Sequence, residues 1–145
     1  MKGARWNSVG VELIYTAANR SLAMAEIAVH FSLATLPGDY VMIIIFIPDD
    51  ISIEKFNISY LPGNWNIFPH STSTQSIGDK FVIDNKHCVL QVPSSVTLGD
   101  FNYLINPNHT DLAFSISPTI LCFIPDNKPS LLFLKWCSAL HSKWY

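Results

Sequence analysis

The chain has 145 residues, of which 49% are hydrophobic and 14% are charged, and its formal net charge is −2. This length and hydrophobic content predict one domain with a well-buried core and exclude a disordered chain. The small negative charge and the scattered basic residues give no reason to expect nucleic-acid binding. The cysteines lack the paired spacing of a zinc site, so they are predicted to be buried free thiols in a reducing compartment: Cys88, Cys122 and Cys137.

Targeting signals and common cofactor motifs are missing from the sequence. No basic and apolar leader opens it, and the longest uncharged apolar runs are short or are interrupted by Pro118. We therefore expect neither a secretion signal nor a membrane span, and a cytoplasmic location. GxGxxG, GxxxxGK[ST], GxSxG and HExxH are all absent, which disfavours Rossmann, P-loop, α/β-hydrolase and zinc-protease chemistry.

The N-terminal stretch predicts a polar turn, a strand and a helix in close succession. Residues 5–10 have the composition of a turn, and residues 11–15 that of a short strand. Asn19 and Ser21 are both good N-caps, so the helix is expected to begin near one of them.

Glu26 is the unusual residue of this helix. Helical spacing places it on one face with three aliphatic side chains, Leu22, Val29 and Leu33. An ionised carboxylate buried there costs several kcal/mol unless it is paired. Two interpretations stay open at this point: the side chain reaches the surface or bonds His30, or it faces a polar cavity that Arg5 and Tyr15 also line.

The remaining elements do not alternate regularly between strand and helix. Strands are predicted over residues 40–47, 51–56, 88–92, 101–106, 113–117 and 119–124, a helix from about residue 74 to 85, and either a terminal helix or a poorly ordered tail from residue 128. Turns or loops are predicted at residues 37–39, 48–50, 57–69 and 107–110. This order favours an α+β fold with a mixed, mainly antiparallel sheet.

Eight short blocks of sequence carry a resemblance to a known family. In chain order they are GARWNSVG, IYTA, AMAE, DYV with IPDD, LPGNW, TQSIGD, VPSSV and NYLINPNH. With these blocks in this order, the chain resembles the RES domain over residues 3–111. We assign residues 1–127 to a RES-like domain whose segment before the first block is shorter than usual, and residues 128–145 to an apolar C-terminal tail outside the resemblance.

The resemblance implies a fold and an activity. RES-domain proteins are toxins of toxin–antitoxin pairs, are similar in fold to ADP-ribosyltransferase toxins, and degrade NAD by phosphorolysis or hydrolysis of the nicotinamide–ribose bond. It implies NAD as the substrate, inorganic phosphate as a co-substrate and no bound cofactor. The expected partner is an Xre-like helix-turn-helix antitoxin, with no nucleic acid or membrane partner, and a homodimer is left open. Two alternatives remain: an inactive protein that only binds its antitoxin, and a protein ADP-ribosyltransferase.

The resemblance also implies four site residues. Arg5, Tyr15, Glu26 and Ser94 match the family's arginine, tyrosine, glutamate and serine. Cleavage leaves positive charge on the ribose, which the Glu26 carboxylate would stabilise. Arg5 suits the pyrophosphate or the incoming phosphate. Tyr15 would stack on nicotinamide or belong to the core, and Ser94 would hold the carboxamide or position Glu26. A hydroxyl just past a strand also commonly caps the segment that follows, and this interpretation of Ser94 stays open.

Overall fold

The protein is an α+β fold built on one mixed sheet. The computed structural model describes residues 3–29, 42–112, 118–120 and 131–134. Within these ranges the strands are β1 Ile14–Ala17, β2 Ile43–Phe46, β3 Ile53–Lys55, β4 Val89–Pro93, β5 Phe101–Ile105, β6 Pro118–Ile120 and β7 Leu131–Leu134. The helices are α1 Arg20–Ala28 and α2 Thr72–Asp84, with one turn of 3₁₀ helix at Ile58–Tyr60.

The sheet order explains why the strands did not fit a βαβ pattern. The seven described strands lie in the order β3-β4-β5-β1-β7-β2-β6. β3 and β4 are parallel, whereas the other described pairings are antiparallel. The predicted α+β fold with a mixed, mainly antiparallel sheet is therefore confirmed.

The C-terminal stretch differs from its prediction. A helix or a poorly ordered tail was expected from residue 128, but Leu131–Leu134 forms strand β7 between β1 and β2. The prediction was wrong because an apolar run of four residues does not distinguish a strand from a helix by its periodicity. The stretch assigned to a separate tail thus contributes a strand to the sheet of the domain.

Other strand boundaries also differ from their predictions, and β3, at Ile53–Lys55, is shorter than the predicted 51–56. β1 begins at Ile14 and ends at Ala17, three and two residues later than predicted. Pro118 was expected to separate two strands, but it lies within β6, which is the last strand in the sheet order. Among the described residues Pro118 is the first of this strand, a position at which proline is tolerated. The strand predicted at residues 113–117 and the turn predicted at residues 37–39 lie outside the described residues.

Both helices begin at a capping side chain. The Asn19 side chain accepts a hydrogen bond from the Leu22 amide at 2.8 Å, so of the two predicted caps Asn19 begins α1. Ser71 caps α2, which therefore begins two residues earlier than predicted. α2 ends where Asn85 takes the left-handed conformation at φ 47°.

The N-terminal turn packs directly on α2. Gly78, inside this helix, lies against the main-chain carbonyl of Trp6, and a Cβ atom at position 78 would come within 1.7 Å of that oxygen. Trp6 itself is 2% exposed and belongs to a core cluster with Leu13, Phe81, Leu90, Val92 and Leu104. A glycine, which ordinarily weakens a helix, is required here by the close approach of another segment.

Two smaller expectations concern membranes and thiols. Within the ranges given above, neither helix is long and apolar enough to cross a membrane. Cys88 is buried and free, whereas Cys122 and Cys137 lie outside the described residues.

Candidate active site

Glu26 is buried at the centre of the candidate site. Its side chain is 2% exposed, so the interpretation in which it reaches the surface is wrong. The carboxylate atom Oε1 accepts hydrogen bonds from Ser94 Oγ at 3.2 Å and from Asn102 Nδ2 at 2.5 Å. His30, the alternative partner considered from the sequence, lies outside the described residues. Two polar groups from distant segments therefore hold the carboxylate that helical spacing had placed on an apolar face.

The predicted shared face of the helix was wrong at its end. Leu22 and Ala23 are buried beside Glu26, but Val29 is 59% exposed. Val29 is the C-cap of α1, which ends at Ala28, so the buried face of the helix stops before it.

The hydroxyl group of Ser94 has its hydrogen-bonding capacity filled. It accepts from the main-chain amides of Val96 at 3.0 Å and Thr97 at 3.1 Å. A hydroxyl has two acceptor lone pairs and one proton, so that proton is directed to Glu26. The two amide contacts agree with the interpretation of Ser94 as a cap of the segment after β4. The contact with Glu26 favours positioning of the carboxylate over binding of the carboxamide.

Asn102 also contacts Glu26 in the candidate site, although it was not predicted from the sequence. It is 7% exposed, and it lies on β5 opposite Ala17 of β1 and Val92 of β4. A signal was available, since an asparagine stands at an inward position of the otherwise apolar run FNYLI.

Arg5 lies in the turn before β1 and is part-buried. Its Nη1 atom donates to the carbonyl oxygens of Trp65 at 2.7 Å and Ile67 at 3.1 Å, which ties the turn to the loop between β3 and α2. Burial lowers the pKa of the Arg5 guanidinium, while the negative charge of Glu26, and that of Tyr15 once its phenol has ionised, act on it in the opposite direction. Arg5 remains cationic at neutral pH. Its positive charge therefore interacts electrostatically with Glu26 and Tyr15.

Tyr15 stabilises the same turn through its hydroxyl group. The hydroxyl donates to Asn7 Oδ1 at 2.6 Å and accepts from the Trp6 amide at 3.1 Å. Asn7 in turn donates from Nδ2 to the Val11 carbonyl at 2.8 Å. The tyrosine ring packs against the core cluster of Trp6, as the core interpretation expected, and its role as a site residue stays a prediction.

Helix α2 fixes this turn at two more points. Gln75 Nε2 donates to the Ala4 carbonyl at 3.0 Å, and the Ser8 amide donates to Asp79 Oδ1 at 2.9 Å. These two side chains and Gly78 belong to the TQSIGD block, so that block supports the turn that carries Arg5.

The four predicted residues are connected by one direct hydrogen bond and by electrostatic interactions. Glu26 and Ser94 are in direct contact, and Arg5 is coupled electrostatically to Glu26 and Tyr15. Among the residues that the structure describes, no group of three or more histidine, cysteine or acidic side chains is arranged to hold a metal ion. The roles of these residues in catalysis stay predictions.

Comparison with known proteins identifies the family. The RES domain matches residues 1–125. The chain belongs to the RES-domain toxin family. This RES-domain protein is 35% identical to the Prs ADP-ribosylating toxin of Sphingobium sp. (strain YBL2), over 75% of the chain and 69% of that relative. It is 33% identical to Toxin Res of Photorhabdus laumondii, over 75% of the chain and 69% of the relative. With Toxin Res of Yersinia enterocolitica the identity is 31%, over 85% of the chain and 82% of the relative.

The family membership confirms the resemblance read from the eight blocks. RES-domain toxins are ADP-ribosyltransferase-like in fold, in agreement with the α+β architecture.

Proposed function

We propose that this RES-domain protein cleaves the bond between nicotinamide and ribose in NAD and transfers the ADP-ribosyl group to phosphate or water. The observation that carries the proposal is the buried carboxylate of Glu26, held through Oε1 by Ser94 and Asn102. A carboxylate so deeply buried is costly to the fold. Such a cost is typical of functional sites, where perturbed ionisable groups are concentrated.

The reaction needs little beyond a fixed negative charge. The C1′–N1 bond breaks with both electrons going to nicotinamide, so the pyridinium leaves as a neutral molecule and needs no general acid. Positive charge builds up on the ribose, and a preorganised carboxylate stabilises it. With phosphate as acceptor the products are nicotinamide and ADP-ribose 1″-phosphate; with water they are nicotinamide, ADP-ribose and a proton.

Arg5 is the candidate for binding the anionic part of the reaction. The two hydrogen bonds that it makes to the loop use Nη1 alone, and a guanidinium has further donors on Nη2 and Nε. Those donors suit a pyrophosphate or a phosphate acceptor. The loop contacts would keep the guanidinium in place while such an anion binds.

Ser94 and Tyr15 support the two charged residues in this proposal. The Ser94 proton is directed to Glu26, so we assign it to positioning the carboxylate rather than to attack on the ribose. The Tyr15 hydroxyl is used by the turn that carries Arg5, which leaves the ring as the part of this residue that could contact nicotinamide.

A second candidate function differs only in the acceptor. A relative that is 35% identical carries the name Prs ADP-ribosylating toxin. Transfer to a protein side chain would begin with the same bond cleavage and would use the same carboxylate. Incubation of labelled NAD with a cell lysate distinguishes the two, because label on protein supports this candidate and label only on small molecules argues against it.

We also propose that the protein is the toxin of a pair and acts on cytoplasmic NAD. Its partner would be an Xre-like helix-turn-helix antitoxin. Co-expression with the product of an adjacent gene of that type should restore growth and give a stable complex. Growth inhibition that the neighbouring gene product leaves unchanged would argue against the pairing.

The direct test measures NAD, nicotinamide and the ADP-ribosyl product with purified protein, with and without phosphate. Phosphate-dependent turnover supports phosphorolysis, and turnover without phosphate supports hydrolysis. Glu26→Gln should lower either activity by about 10² to 10³-fold or more, and Glu54→Gln, which removes an exposed carboxylate on β3, should leave it unchanged. If the wild-type protein leaves NAD intact under both conditions and labels no protein, the proposed function is wrong.

A further inference from the structure

We propose that Asn102 is a positioning residue for the Glu26 carboxylate, which it keeps ionised and fixed in orientation from the middle of the sheet. Its catalytic importance rests on the proposed function, but its effect on Glu26 does not. The RES blocks assigned a glutamate, an arginine, a tyrosine and a serine to the site. Asn102 enters through the geometry of the structure.

The hydrogen bond between these residues joins two segments that are far apart in sequence. Asn102 Nδ2 donates to Glu26 Oε1 over 2.5 Å, across a separation of 76 residues. It is shorter than the bond from Ser94 Oγ to the same oxygen, which is 3.2 Å. A hydrogen bond to the charged form of a carboxyl group favours that form. Asn102 and Ser94 thus act on one atom, with Asn102 the nearer donor.

Asn102 is placed on a rigid support. Its neighbours in the sheet, Ala17 and Val92, are both fully buried at 0% exposure. The amide is therefore held by central strands, and α1 brings Glu26 to it. Donors that are held in place before the substrate binds need no reorganisation during the reaction.

The amide oxygen of the Asn102 side chain indicates why an asparagine occupies this position. Asn102 Oδ1 is buried and has no hydrogen-bond partner within the described part of the chain. A buried acceptor without a partner is unfavourable, so satisfaction of its own polar atoms does not explain an amide at this position. The bond to Glu26 does explain it.

Other groups that act on Glu26 are separable from Asn102. The charged group coupled to Glu26 from the N-terminal turn is Arg5, and Tyr15 of β1 is coupled to Arg5. The loop after β4 contributes the hydroxyl of Ser94, which does not titrate. None of these groups is changed by a substitution at position 102, so a change in the Glu26 titration reports on Asn102 itself.

The chain allows Glu26 to be observed directly. It has three glutamates, Glu12, Glu26 and Glu54, so labelling with ¹³C-glutamate gives three carboxyl resonances, of which the one lost in Glu26→Gln is assigned. In Asn102→Leu, which is similar in size, the titration midpoint of Glu26 should rise by about 1 to 2 pH units. Asn102→Asp should raise it as well, because two adjacent carboxylates share a proton.

Asn106→Leu is the matched control. Asn106 is also a buried asparagine next to β5, but it bonds to Asn85 Oδ1 and to the Asn108 amide rather than to Glu26. Asn106→Leu should lower the free energy of unfolding without changing the titration midpoint of Glu26. If Asn102→Leu does not fold, Asn102→Asp carries the test alone.

The results separate this inference from the proposed function. A Glu26 midpoint that is the same in wild type and in the folded Asn102 variants overturns the inference. A raised midpoint in a protein that does not consume NAD supports the inference and refutes the proposed function. If NAD is consumed, the acid limb of the kcat/KM profile should move upward with the midpoint in Asn102→Leu and stay in place in Asn106→Leu.

Discussion

The packing of the N-terminal turn on α2 makes Gly78→Ala an informative substitution. In an exposed helix this change stabilises by about 1 kcal/mol, because alanine is the better helix former. Here the new Cβ atom would lie 1.7 Å from the Trp6 carbonyl oxygen and 2.8 Å from its carbon. Since both are main-chain atoms, the turn itself has to move.

The magnitude follows from these opposing effects. Overpacking of this kind costs about 1 to 3 kcal/mol, and main-chain displacement places it at the upper end. After the gain in helix propensity, a net loss of about 1 to 2 kcal/mol remains. For a chain of 145 residues, that loss corresponds to a decrease in Tm of about 3 to 7 °C.

Thermal unfolding and NAD turnover together test this prediction. Movement of the turn displaces Arg5 and weakens the bonds from Gln75 to Ala4 and from Ser8 to Asp79, so turnover should fall with Tm. Gly63→Ala is the control, because nothing lies within 4 Å of a Cβ atom at position 63. A Tm for Gly78→Ala equal to or above that of the wild type would refute the close packing of the turn on α2.

Three further predictions concern a cap, a hydroxyl and a thiol. Asn19→Ala removes the N-cap of α1 and should lower the free energy of unfolding in urea by about 1 kcal/mol; an unchanged value would mean that the cap contributes nothing. Tyr15→Phe leaves Asn7 Oδ1 without its donor and should cost about 1 to 2 kcal/mol while retaining the ring, so a wild-type unfolding curve would contradict the hydrogen bond. Burial raises the pKa of the Cys88 thiol from 9.0 to about 11. The thiol binds its proton more tightly in the folded state than in the unfolded state. Its contribution to the free energy of unfolding is therefore fully present below pH 9.0 and is lost as the pH rises towards about 11. The decrease in unfolding free energy between pH 8 and pH 10.5 should be smaller in Cys88→Ala than in wild type, and equal decreases would argue against the shift.

Local patterns predicted the elements whose signals are contained in a few residues. Asn19 marked the start of α1, and the apolar runs that became β4 and β5 were placed to within one residue. These predictions succeed because capping and strand propensity depend on near neighbours in sequence.

Features that depend on distant segments could not be predicted in this way. Leu131–Leu134 forms a strand because it pairs with β1 on one side and β2 on the other. Four apolar residues carry no information about such distant pairing partners. Gly78 lies inside α2, where a glycine is ordinarily unfavourable, because the Trp6 carbonyl packs against it. In each case the cause lies in a segment far along the chain.

In the candidate site, too, one residue was predictable from local sequence and another was not. Glu26 stood out in the sequence because a charge on an apolar helical face needs an explanation. Its partner Asn102 is 76 positions away, and an asparagine within a strand has several ordinary interpretations. The sequence therefore identified the unusual group, and the fold identified what holds it.

The most direct test of the account compares NAD binding and NAD cleavage in wild type and Glu26→Gln. Calorimetry gives the affinity, and single-turnover release of nicotinamide gives the rate of bond cleavage. The account predicts that the glutamine variant still binds NAD but releases nicotinamide more slowly by about 10² to 10³-fold or more, since loss of one preorganised electrostatic group has that effect. Release of nicotinamide at the wild-type rate by a folded Glu26→Gln protein would contradict it.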